Sequence, residues 1–126
     1  MPPKKTFNVG ATSVLKEGSL ARWLEAPITS DLSIVPGIGP ANKKLIEAEG
    51  ITNTFQLFGK FLLLKADGLS SQGHMDETYA WLASIKVNSQ RAVICLALAE
   101  KASILMPNVF NREELDPPAG ASMDDE

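Results

Sequence analysis

Residues Ile34 to Ile46 read Ile-Val-Pro-Gly-Ile-Gly-Pro-Ala-Asn-Lys-Lys-Leu-Ile, and no other stretch has residue types and spacing so suited to chemistry. A short apolar run ends in Gly37-Ile38-Gly39, and Pro40 follows at once. Glycine tolerates the left-handed or crowded backbone of a tight turn and lets another backbone approach. Proline is pre-organised for the first position of a helix, where its missing N–H is no loss. A helix opening at Pro40 leaves its first-turn amides without partners inside the helix, and its dipole favours an anion there. Lys43 and Lys44 lie one turn further on. The chemistry implied is capture of a phosphate by backbone amides, with two ammonium groups close by.

Other reactive side chains are few. His74 is the only histidine, and its glycine-containing surroundings predict a solvated loop residue. Cys95 lies among Val93, Ile94, Leu96 and Leu98, which predicts a buried, small apolar role. One histidine and one cysteine cannot build a zinc site without carboxylates. Asp76-Glu77 and Glu113-Glu114 are adjacent pairs, suited to helix-start charge and to solvation of a tail. No catalytic residue, metal site or cofactor is expected, and the chain does not read as an enzyme. A single cysteine excludes an intramolecular disulfide and points to a reducing, intracellular setting, nuclear or cytoplasmic. The N-terminus lacks the apolar core of a signal peptide, and the longest apolar run, Ala92 to Ala99, is far too short to span a membrane.

The 126 residues fit one domain, and 44% of them are apolar. The net charge of −3 argues against a phosphate binder, yet residues 112–126 alone carry −5, leaving +2 on the rest. Residues 1–18 mix Pro, Lys, Gly, Ser and Thr and are expected to form a flexible arm; Pro2-Pro3-Lys4-Lys5 is too short for a targeting signal. Ser19 is suited to cap a short helix carrying Leu20, Trp23 and Leu24, ending before Pro27. Thr29, Ser30 or Asp31 starts a second, through Val35. Pro40 to Glu49 forms a third, closed by Gly50. Thr54 caps a long helix to about Ala66, and Asp67 to Gly73 is read as a loop. Further helices are expected over Met75–Ser84 and from a cap at Asn88 or Ser89 to about Met106. Residues 108–126 read as a disordered acidic tail. No segment alternates over strand length, so the fold class is all-α: a compact bundle of five to six short helices over 19–107. The helix before Gly37 and the helix after Gly39 together describe a helix-hairpin-helix. Such turns also serve purely as packing devices.

The helix from Thr54 carries Phe55, Leu57, Phe58, Phe61, Leu62, Leu63 and Leu64, which surround it. A helix facing one core keeps a polar side. An all-round apolar helix implies contact with a second chain, and Gly59 would let a partner backbone approach, with Trp81 and Tyr79 completing the patch. The alternative is that it forms the central helix of the bundle.

These residues resemble one family, that of barrier-to-autointegration factor, a small chromatin protein, over Ser19 to Leu105. Ala21-Arg-Trp-Leu-Glu-Ala-Pro27 is similar to the family's first helix. Gly37-Ile38-Gly39 and Gly50 align with its hairpin and the glycine closing the next helix. Gln56 to Lys65 resembles its long third helix, Trp81-Leu82 a Trp-Leu pair, and Ser89-Gln90-Arg91 the start of its last helix. The resemblance implies a SAM-like, barrier-to-autointegration-factor-like fold and a homodimer that bridges double-stranded DNA without sequence preference. Its other partners would be nuclear-envelope or chromatin proteins. It further implies that Gly37, Ile38, Gly39 and Ala41 offer backbone amides to phosphate, supported by Lys43 and Lys44. A second contact comes from Asn88, Ser89, Gln90 and Arg91, and a dimer contact from Phe58, Gly59, Leu62, Leu63 and Trp81. Leu45 stands where the family has the second lysine of a pair, and Ser19 where it has a basic residue. The competing expectation is a dimeric protein–protein adaptor of the same fold without DNA binding.

Overall fold

Capping side chains mark where the helices begin. Asp31 accepts from the Ser33 amide at 2.9 Å and starts a 3-10 turn over Leu32–Ile34. Asn53 accepts from the Gln56 amide at 2.9 Å and Ser70 from the Gly73 amide at 3.1 Å, each opening a helix. The computed structural model describes residues 6–12 and 17–117. Its helices are α1 (Glu17–Glu25), α2 (Pro40–Glu47), α3 (Thr54–Leu63), α4 (Ser71–Ser84) and α5 (Arg91–Leu105). Further 3-10 turns lie at Val9–Thr12 and Arg112–Glu114. Among the described residues there is no strand, and the fold is all-α.

Helix α5 is the axis of the molecule. Residues Ala92 to Ala99, Lys101 and Ala102 are all buried, and α1, α3, α4 and the 9–12 turn pack against it. Four alanines on α5 shorten its side chains and let these neighbours approach. Helix α1 is fixed to α5 at two points. The Trp23 indole donates to the Ala97 carbonyl at 2.8 Å, and its ring stacks on Phe58 with centroids 6.2 Å apart. Lys101, only 4% exposed, donates to the carbonyls of Trp23 at 2.8 Å, Leu24 at 3.0 Å and Ala26. A buried ammonium thus satisfies the orphan carbonyls at the end of α1.

Helix α3 is not surrounded by partners, nor is it the central helix. Leu57, Phe58 and Phe61 are buried, whereas Phe55 and Leu63 are exposed. Helix α4 begins four residues before the expected Met75. Gly73, read as part of a loop, sits in its first turn, where a Cβ would come within 2.7 Å of Leu69 Cδ1. The shift carries His74 from the expected solvent into the core, with no exposed surface.

The described parts of both terminal segments, residues 6–12 and 108–117, are more firmly held than composition suggested. The flexible arm expected over 1–18 is a docked segment over residues 6–12. Phe7 is buried, its amide donates to Asp76 Oδ1 at 2.9 Å, and its carbonyl accepts from Gln72 Nε2 at 2.9 Å. The tail expected over 108–126 is likewise docked through residue 117. Phe110 is buried, the Ser71 amide donates to Glu114 Oε1 at 2.6 Å, and the Asp116 amide donates to Gln72 Oε1 at 2.9 Å. One apolar anchor at each end outweighs the polar residues around it. Expectations for residues 1–5, 13–16 and 118–126 lie outside the described residues.

Candidate functional site

Gly37 turns the chain between the 3-10 turn and α2 with φ +94°, a left-handed conformation open to glycine. It also lies against the start of α5: a Cβ there would meet Ile94 Cγ1 at 2.8 Å and Gln90 at 3.3 Å. The two segments assigned to phosphate, 37–41 and 88–91, are therefore neighbours. Asn42 fastens them together. Its side chain is 7% exposed, and Nδ2 donates to the Gly37 carbonyl at 3.1 Å and to the Ser89 carbonyl at 3.2 Å. Asn42 was not among the residues singled out from the sequence. An amide at the third position of a helix that follows a glycine turn can reach back to the turn's carbonyls, and that placement was the available signal.

Both helix starts lack side-chain caps. Gly39 is the N-cap of α2 and offers no side chain; Gln90 is the N-cap of α5 and makes no capping bond. Pro40 has no N–H, so Ala41 and Asn42 supply the first-turn amides of α2, while Arg91, Ala92 and Val93 supply those of α5. Gln90 holds φ +64°, which costs a side-chain-bearing residue roughly 1–3 kcal/mol. Its carbonyl accepts from the Ile94 amide at 3.0 Å, so the strained residue is tied into α5. The cap expected at Asn88 or Ser89 is thus displaced by one or two residues.

The assigned residues divide into those that face solvent and those that do not. Gly39, Ala41, Lys44, Asn88, Ser89 and Gln90 are exposed. Ile38 is not available: its side chain is 4% exposed and its amide donates to the Val35 carbonyl at 3.0 Å, closing the turn. Lys43 approaches Asp31 at 4.0 Å, a partly exposed pair of small energetic weight. Arg91 folds inward. Its Nη1 donates to the Val87 carbonyl at 2.8 Å, its Nη2 reaches the Tyr79 hydroxyl at 3.4 Å, and the guanidinium lies 4.9 Å from the Tyr79 ring centroid. Beside this junction is a cavity of about 210 Å3, bordered by Tyr79, Asn88, Gln90 and Arg91 and walled by Ala11 and Val93.

The residues assigned to a dimer contact also separate. Phe58 is 8% exposed beneath Trp23 and belongs to the core, because α3 turns that face inward. Gly59 and Leu63 are exposed and Leu62 is half-buried; nothing lies within 4 Å of a Cβ built on Gly59. Trp81 is half-buried, with the Lys60 ammonium 5.4 Å from its ring. Phe55, 58% exposed, joins Gly59, Leu62 and Leu63 along one side of α3.

Cys95 is fully buried, and burial pushes its thiol well above the ordinary range, which favours the thiol over the thiolate. Among the described residues, no three His, Cys, Asp or Glu side chains gather to hold a metal ion, and no helix is long and apolar enough to cross a membrane. Compared with models of protein families, with curated proteins and with solved structures, the chain matches none.

Proposed function

We propose that the protein holds the backbone of double-stranded DNA, without regard to sequence, at the joined starts of α2 and α5. The observation that carries this is the Asn42 clasp: it keeps two uncapped helix N-termini side by side, and each is a site of partial positive charge. Ala41, Asn42, Ala92 and Val93 supply amides, and Lys44 supplies an exposed ammonium. In this proposal the 3-10 turn at Leu32–Ile34, the Gly37 turn and α2 form a helix-hairpin-helix whose first limb is one short turn. Amides and lysines position a protein on phosphates and read no bases. Bridging of two duplexes follows if the Phe55–Leu63 side of α3 pairs with a second copy.

The second reading, a dimeric adaptor without DNA binding, draws on a specific observation. Lys43 is paired with Asp31 and Arg91 is turned inward, so the assigned cations are partly engaged already. Anisotropy on random-sequence duplex at several salt concentrations decides between the two. If four to six phosphates are neutralised, log affinity falls against log salt with a slope between roughly −3.5 and −5.5. Gly39→Glu is the clean variant. Gly39 has φ −92° and an open Cβ position, so a carboxylate fits the fold while it repels phosphate. Loss of binding in Gly39→Glu supports the site; binding equal to that of the original protein removes it.

A further inference from the structure

The cavity beside the junction of α2 and α5 has one formal charge in its wall, that of Arg91. The position is costly for a cation. Arg91 opens α5, where the helix dipole is already positive. Its hydrogen bonds go to the Val87 carbonyl, the Asn88 side-chain oxygen and the Tyr79 hydroxyl, all of them neutral. Two of these are long, at 3.5 and 3.4 Å, and Nε is buried with no partner. A half-buried guanidinium with only neutral partners and a buried, unpaired Nε gains a counter-charge from an anion in the adjoining space.

The space and its donors narrow the class of anion. About 210 Å3 is below the roughly 300–1,000 Å3 of sites that enclose drug-sized ligands, so a single small group fits. The donors are the guanidinium, the Asn88 amide, the first-turn amides of Ala92 and Val93, and the Tyr79 hydroxyl, which accepts from Arg91 and keeps its own hydrogen to give. They exceed what the two oxygens of a carboxylate can use and suit the three free oxygens of a phosphate monoester. The Tyr79 ring face is covered by Arg91, so no base stacks there and recognition ends at the phosphate.

We infer that this cavity binds a phosphomonoester group, held by Arg91 where it lies over the Tyr79 ring. The source is the terminal phosphate of a nucleic-acid strand, because Gln90 and Arg91 border both the cavity and the surface assigned to duplex DNA; only this choice of source rests on the duplex proposal.

Two measurements test it. Titration of 15N-labelled protein with thymidine 5′-monophosphate is expected to move the amide signals of Gln90, Ala92 and Val93, whereas thymidine leaves them in place. Tyr79→Phe, which keeps the ring under Arg91, weakens the response, and Arg91→Gln abolishes it. Absence of a response at millimolar nucleotide, or an equal one to the nucleoside, overturns the site. Anisotropy then compares one duplex with 5′-phosphate or 5′-hydroxyl ends. About tenfold tighter binding of the phosphorylated duplex, collapsing to equality in Arg91→Gln, assigns the strand end. Equal binding of the two duplexes overturns that source and leaves free nucleotides as the ligand. Failure to bind a covalently closed duplex at any salt removes the duplex proposal and leaves the nucleotide titration standing.

Discussion

Lys101 places an ammonium in the core, where burial lowers its pKa, and the three carbonyls at the end of α1 compensate for lost water. Replacing it with methionine keeps most of the volume and removes every donor. Lys101→Met is expected to cost about 1–3 kcal/mol, read from urea unfolding, because the Trp23 carbonyl stays buried and unpaired. His74 poses the opposite problem. Nε2 donates to the Phe61 carbonyl at 2.7 Å and the ring stacks on Phe61, but Nδ1 is buried without a partner. A second proton on Nδ1 would find no acceptor, and desolvation holds the imidazole pKa below its ordinary 6.5. Below pH 6.5 the unfolded chain takes up a proton that the folded chain refuses. The stabilising contribution is complete above 6.5 and is lost as pH falls through the folded value. Thermal midpoints should therefore drop as the pH is lowered below 6.5, and a His74→Gln variant should show a flatter profile over that range. Neither role was legible beforehand. Nothing in the sequence sets Lys101 apart from other helix lysines, and the glycines at 68 and 73 imitate a loop around His74.

Among the elements, the turn before α2 separates two glycines that the sequence presents as equivalent. Gly37 has no room and the wrong φ for any other residue, so Gly37→Ala should destabilise the fold by roughly 1–3 kcal/mol and loosen α2 from α5. Gly39 has room and an ordinary φ. A serine there would cap α2, so Gly39→Ser is expected to raise stability by a few tenths of a kcal/mol, measured by chemical unfolding, and to weaken phosphate binding by occupying the same amides. A fold that needed Gly39 for packing would give the reverse stability result. Helix existence was largely readable: Asp31, Pro40 and the apolar periodicity placed their elements within a few residues. The start of α5 was not, because its N-cap is a strained Gln90 with no capping bond, which propensity disfavours. Tertiary contact with Gly37 and the Asn42 clasp hold that start, and such long-range support leaves no local mark. Nothing local in either stretch marks 37–41 and 88–91 as neighbours, and Asn42, which joins them, carries no more signal than its place in the first turn of α2.

For the whole molecule, the apolar side of α3 sets the question of assembly. Leu63 is 77% exposed and Phe55 58%, with Gly59 open between them. Leu63→Glu should convert a dimer to a monomer in light scattering at unchanged helical content, and an unaltered mass would exclude this face. The charge balance at this scale is less divided than the sequence implies. Glu114 is not part of a free acidic tail: its carboxylate accepts from the Ser71 amide at the start of α4, which keeps its pKa below the usual range. Composition placed the domain at 19–107, but Phe7 and Phe110 belong to its core. The Gln72 side chain touches both terminal segments as described, giving its Nε2 to the Phe7 carbonyl and taking the Asp116 amide on Oε1. One glutamine thus brings residues 7 and 116 to the same place. A short linker from residue 117 back to residue 6 would join neighbours, and the backbone could be reopened at the exposed Asp67-Gly68. Such a circular permutant should keep its core, read as an unchanged cooperative unfolding transition.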